Sequence, residues 1–259
     1  WQAFYENMPL RATAMAGAQF DRLQVYRRLP WGRLAQLHLL DDRQYRALQA
    51  CRKPGATNAG GVRPADCAEL ADPTRSLLGP AQEQWLDAGL AADAKNDHTR
   101  WSVLAQQTLF SPRRYPSGQV AADGWDGYPA ARERLLQSVQ RHSPRNTVLL
   151  GGDIHQNYVC NVHAPGAGGD RPVLASEFCG TSISSRAGTT QDKVDAIARH
   201  NPHVLLARCE ERGYGLADIT PEQWTTTLRA VDNPLDPHSS AHTLARFVVQ
   251  DRKPGPVRA

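Results

Sequence analysis

The chain has no stretch of about 18 consecutive apolar residues, which excludes a transmembrane helix legible from hydropathy. It opens on Trp1, with no Met, no charged n-region and no apolar h-region. No signal peptide is expected within it, and such an opening is expected of a processed or truncated product. No block of five or six Lys or Arg occurs. The net charge of +4 and pI near 8.9 come from scattered residues without interleaved aromatics, which argues against nucleic acid as the partner and for an ordinary solvated surface. None of the five cysteines stands in a C-x-x-C pair, so a zinc ribbon is not expected. Ser and His are plentiful, yet no G-x-S-x-G elbow supports a serine hydrolase. Internal repeats and low-complexity segments are absent too.

What is present suits one large α/β domain over residues 1–259, with 41% hydrophobic residues to fill its core. LAQLHLLD (34–41) reads as a buried strand that closes on Asp41, Asp42 and Arg43. GPAQEQWLDAGLAAD starts a helix at Pro80 and repeats apolar residues at Trp85, Leu86 and Leu90. RWSVLAQQTLF (100–110) is a strand running into Gln106 and Gln107. GYPAARERLLQSVQRH (127–142) is a second helix, and TQDKVDAIARH (190–200) a third. NTVLLGG, QNYVCNV, RPVLASEF and HVLLARCEERGYGLADIT read as further strands, followed by a Thr- and Val-rich antiparallel tail. Helices between strands early and strands dominating late fit two packed sheets with helices outside.

Cys51 and Cys67 flank a Gly-, Pro- and Ala-rich loop, and a disulfide between them is expected. Closing about 17 residues is worth roughly 3 kcal/mol in the chain-entropy model. A disulfide places the protein outside the reducing cytoplasm, periplasmic or secreted. Cys160, Cys179 and Cys209 fall on expected strands, so one is left unpaired, and their pairing stays open.

The stretch NTVLLGGDIHQNY (146–158) carries the chemistry. Thr147 to Leu150 form a strand for the sheet's interior, and ligand sites in open α/β sheets lie beyond the carboxyl ends of such strands. Gly151 and Gly152 permit a tight turn. Asp153 and His155, two apart on extended backbone, point the same way and offer a carboxylate and an imidazole to one ion, a mixture suited to iron, manganese or zinc. The plainer alternative is an Asp bonded to backbone and a satisfied core His.

LLGGDIH resembles the last metal motif of the calcineurin-like metallophosphatases, in the Gly-Asp-x-His form used by PhoD-type alkaline phosphatases. YENMPLR (5–11), LHLLDDRQYRALQAC (37–51), DPTRSLLGPAQEQWL (72–86), RWSVLAQQ (100–107), DGWDGYPAARERLL (123–136), SEFCGTSISS (176–185) and RGYGLADITPEQW (212–224) resemble the same family in order, over nearly the whole chain. The resemblance implies an αββα sandwich that hydrolyses phosphomonoesters and phosphodiesters with ferric iron (Fe3+) and calcium (Ca2+). Asp153 and His155 match its metal ligands. Gln106 stands where other metallophosphatases place a ligating His, and either takes a hard cation or merely closes a strand. Arg186, after GTSISS, is either a phosphate contact or a solvated loop residue. Glu177 either orients a ligand or ends a strand, and Asp126 of GWDGY is read as a turn-former rather than an acceptor behind a metal ligand.

The family's upstream motifs, a GD strand end and a WDDHE…NN segment, are not found, so the chain is expected to be the C-terminal half, lacking its N-terminal part. A missing segment that completes the fold and the ligand set is then an expected partner, beside the phosphate ester substrate. The competing expectation is a folded, inactive or non-enzymatic fragment.

Overall fold

Val103 and Leu104 are neighbours in the chain and bury on opposite faces of one sheet, as do Val148 and Leu149. Burial on both faces is what makes their strands read as unbroken apolar runs. A computed structural model describes residues 1–10, 20, 23–96, 99–166 and 170–259. Arg11, the last residue of YENMPLR, lies outside the described residues.

Among the described residues the chain runs α1 (Gln2–Asn7), β1 (Arg27–Trp31), β2 (Ala35–Leu39), β3 (Gly61–Val62), α2 (Pro80–Lys95), β4 (Trp101–Ala105) and β5 (Val120–Ala121). It continues through α3 (Pro129–His142), β6 (Thr147–Gly151), β7 (Asn157–His163), β8 (Val173–Cys179), α4 (Gln191–His200) and β9 (Val204–Arg208). The end is β10 (Arg212–Ile219), β11 (Gln223–Val231), β12 (Ala241–Gln250) and β13 (Lys253–Arg258). A seven-stranded sheet has the order β1-β2-β4-β6-β8-β7-β9, and a four-stranded sheet the order β10-β11-β12-β13. β2, β4, β6 and β8 are parallel neighbours, while the four-stranded sheet is antiparallel.

The two sheets pack face to face. Val103, Val148, Val159 and Phe178 of the larger meet Trp224, Leu228, Phe247 and Val249 of the smaller. On the larger sheet's other face, Leu86 and Leu90 of α2 and Leu135, Leu136 and Val139 of α3 cover Leu104 and Leu149. The mixed α/β sandwich with helices outside is therefore present.

Differences from the sequence reading have local causes. The strand expected over 100–110 stops at Ala105, where the Gln106 side chain takes over the backbone's hydrogen bonds. The stretch read as HVLLARCEERGYGLADIT splits into β9 and β10, which belong to different sheets. β1 and β13 carry Pro30, Pro254 and Pro256, and both are edge strands, where a missing N–H does no harm. Cys51 and Cys67 are paired, with Cα atoms 5.9 Å apart. Cys160, Cys179 and Cys209 all remain thiols, buried in an apolar cluster with Tyr158 and Val194, where no second bridge forms.

Candidate active site

The parallel strands β2, β4, β6 and β8 end on one edge of the sheet, and the loops leaving that edge carry the polar side chains. The β6 loop differs from the expected geometry. β6 ends at Gly151, residues 153–156 are bends, and Asp153 and His155 both sit at positive φ (66° and 56°). The extended backbone that was to aim both side chains one way is thus not there. The left-handed turn falls on Asp153 and His155 rather than on the glycines; Asp and His tolerate that region better than most residues. Gly151 is needed for a different reason: a Cβ there would overlap the Thr108 carbonyl oxygen.

His155 donates its Nδ1–H to the Arg186 carbonyl at 2.9 Å. A carbonyl only accepts, so this bond fixes the tautomer and leaves the Nε2 lone pair for a ligand, the arrangement usual for metal-binding histidines. Arg186 thus serves through its main chain, while the residue itself is exposed. Arg212 Nη1 donates to the His155 carbonyl at 3.2 Å and steadies the loop.

Asp153, 47% exposed, accepts Arg43 Nη2 at 2.9 Å. Arg43 Nη1 reaches Asp123 at 2.9 Å, and Arg46 Nη1 holds the other Asp123 oxygen at the same distance. Partial burial pushes the Asp123 carboxyl up, but Arg43 and Arg46 outweigh it and hold the group below the usual range. Asp42 is fully buried, and neither carboxylate oxygen has a hydrogen-bond partner. Its nearest countercharge is Arg43 Nε, 3.5 Å from Oδ1. Burial drives this carboxyl up to about 6 against the pull of Arg43, and the charges of Asp41 and Asp153 add to the rise. A cavity of about 210 Å³ opens beside Asp123 and Asp153, bounded also by Thr108, Ser111 and Arg113.

The other residues singled out from sequence are structural in this arrangement. Gln106 Oε1 accepts Thr108 N–H at 3.0 Å and Trp125 Nε1–H at 3.1 Å, and its amide nitrogen donates to the Thr108 carbonyl. Both oxygen lone pairs are occupied, so the amide shapes the floor of the site. Asp126 lies in the 3-10 turn Trp125–Gly127, accepts Arg113 N–H and pairs with Arg132 at 2.6 Å. Glu177 neither ends β8 nor touches His155 within hydrogen-bond distance; it binds the backbone of Phe110 and Ser111.

Asp42, Arg43 and Asp123 belong to the site without having been assigned to it. Asp42 and Arg43 were legible, because they close β2 as Asp153 follows β6. Asp123 lies in an irregular loop and gives no periodic signal. Among the described residues, no group of three or more His, Cys, Asp or Glu side chains closes into a metal cluster. The carboxylates meet a guanidinium instead. The donor set still fits a cation: an orphaned buried carboxylate, two further carboxylates and an imidazole with a free nitrogen suit a hard or borderline metal ion.

Asp42→Asn is expected to stabilise the chelator-treated chain by about 1–3 kcal/mol at pH 8, since it removes a buried charge that has no hydrogen-bond donor, at constant shape. The gain reads out as a higher urea midpoint; a lower one contradicts the geometry.

A family model described as PhoD-like phosphatase matches residues 1–228. Alkaline phosphatase D of Bacillus subtilis (strain 168) is 36% identical over 261 residues, which is 98% of this chain and 42% of that protein. A solved structure titled "Structure of PhoD" has a TM-score of 0.85 and 34% identity, covering 100% of this chain and 48% of that one. The chain spans less than half the length of these relatives.

Proposed function

The chain belongs to the PhoD-like phosphatase family, and from that membership we propose that it forms part of a metal-dependent enzyme that releases phosphate from phosphomonoesters, phosphodiesters or both. The observation that carries this reading is the meeting of Asp42, Asp123 and Asp153, from three separate segments, at the carboxyl end of the parallel strands. Asp153, His155 through Nε2, Asp42 and Asp123 would contribute ligands to the cations. Ferric iron with calcium, the set implied by the family resemblance, supplies Lewis acidity and an activated water when bound. Arg43 and the exposed Arg186 supply guanidinium groups whose planar forks match phosphate oxygens. The Cys51–Cys67 bridge supports a periplasmic or secreted location.

Further ligands come from an upstream segment in this reading. The lack of a closed three-ligand cluster among the described residues favours weak metal binding and no turnover for the 259-residue chain alone. The test compares this chain with a version extended to the length of the relatives. The extended protein is expected to release phosphate from an aryl phosphate, to carry metal by elemental analysis, and to fall silent with chelator. Activity that survives exhaustive chelation, in a preparation shown to be metal-free, overturns the reading.

A further inference from the structure

Arg43 spends all three guanidinium nitrogens on carboxylates. Nε lies 3.5 Å from Asp42 Oδ1, Nη1 is 2.9 Å from Asp123 Oδ2, and Nη2 is 2.9 Å from Asp153 Oδ2. These three acids share no strand and no turn: one follows β2, one precedes the 3-10 turn at Trp125, one follows β6. Each is brought to the same point by a different part of the backbone, and the point is filled by a side chain carrying a single positive charge.

That charge does not satisfy its surroundings. Asp42 is fully buried, and Arg43 approaches it no closer than an ion pair without a hydrogen bond. Burying a carboxylate with no donor is unfavourable unless something stronger takes the place. Arg46 and Gln49 relieve Asp123 alone, at 2.9 and 2.6 Å. A divalent cation has twice the charge and draws carboxylate oxygens to about 2.0–2.6 Å. The flat guanidinium holds them farther apart.

We infer that Arg43 is the built-in counter-ion of this acidic centre: it occupies the position of a divalent cation and must release Asp123 and Asp153 before the cation can enter. The inference rests on the metal-dependent reading above. It makes cation binding an exchange of charges rather than the filling of a void. It also accounts for a centre with three converging carboxylates and no closed metal cluster among the described residues.

Calorimetric titration of the 259-residue chain with Ca2+ tests this in the wild type and in R43Q, R43K and R46Q. R43Q is expected to bind at least tenfold more tightly than wild type, because nothing competes for the carboxylates. R43K falls between, since one ammonium cannot bridge three acids, and R46Q changes affinity less than threefold. Without metal, R43Q unfolds at lower urea than wild type, and it gains more from added Ca2+. If wild type binds Ca2+ and a natively folded R43Q binds no more tightly, the counter-ion role fails while the metal-dependent reading stands. If neither binds, the counter-ion role fails, while the metal-dependent reading is decided by chelation of the extended protein. Should R43Q not fold, an R43K affinity equal to wild type overturns the inference by itself.

Discussion

Asp153→Ala is expected to lower kcat/KM of the extended protein by roughly 10³-fold, at the upper end of what one directly acting group contributes. Its melting temperature should stay within a few degrees of wild type. The two halves of this expectation come from one fact: Asp153 is half exposed and, among the described residues, pairs with Arg43. An exposed ion pair of this kind contributes at most about 1 kcal/mol to folding. Losing it therefore leaves the fold in place, while the cation loses a carboxylate at the mouth of the cavity. Asp153→Asn should behave like the alanine variant, because the amide keeps the shape but not the charge. Turnover within threefold of wild type in both variants removes Asp153 from the metal centre, and with it the main support for the proposed chemistry.

The sandwich was legible because its signals are local and repeated. Val103–Leu104 and Val148–Leu149 announce buried strands, and Pro80 at the start of α2 marks a helix N-terminus. The edge strands β1 and β13 were hidden by their prolines. At the site, the expectation that Asp153 and His155 share an extended backbone failed where two left-handed residues replaced it, and nothing in the string GGDIH distinguishes those alternatives. His155 orientation depends on a carbonyl 31 residues away, Asp153 on a guanidinium 110 residues away, and Asp123 on the same guanidinium. Contacts of such separation carry no sequence period. The strand-end rule locates the edge of the sheet where function collects, but only the fold shows which side chains meet there.

Glu177→Ala is expected to destabilise the chain by about 4 kcal/mol, which for a domain of this size lowers the melting temperature by about 10 °C. Glu177 is fully buried on β8, an interior strand of the seven-stranded sheet, and its two oxygens accept the backbone N–H groups of Phe110 and Ser111 at 2.6 and 2.8 Å. Alanine leaves both donors buried without an acceptor and opens a cavity beside Cys160, its cross-strand neighbour. The same loop brings Ser111 to the wall of the candidate cavity, so phosphate release by the extended protein should weaken as the loop loosens. Burial raises the Glu177 carboxyl above its ordinary 4.5, against the hydrogen bonds from Ser111 and Phe110 that favour its ionised form. The folded state therefore binds this proton more tightly than the unfolded one. The resulting stabilisation is complete below 4.5 and is lost as pH rises through the raised value. Glu177→Gln, which cannot titrate, should lose about 2 kcal/mol through its one mismatched N–H pair and should lack that part of the pH slope. Urea midpoints measured from pH 4 to 8 separate the two effects: parallel wild-type and Gln curves contradict the buried acid, and an unshifted alanine midpoint contradicts its grip on the loop.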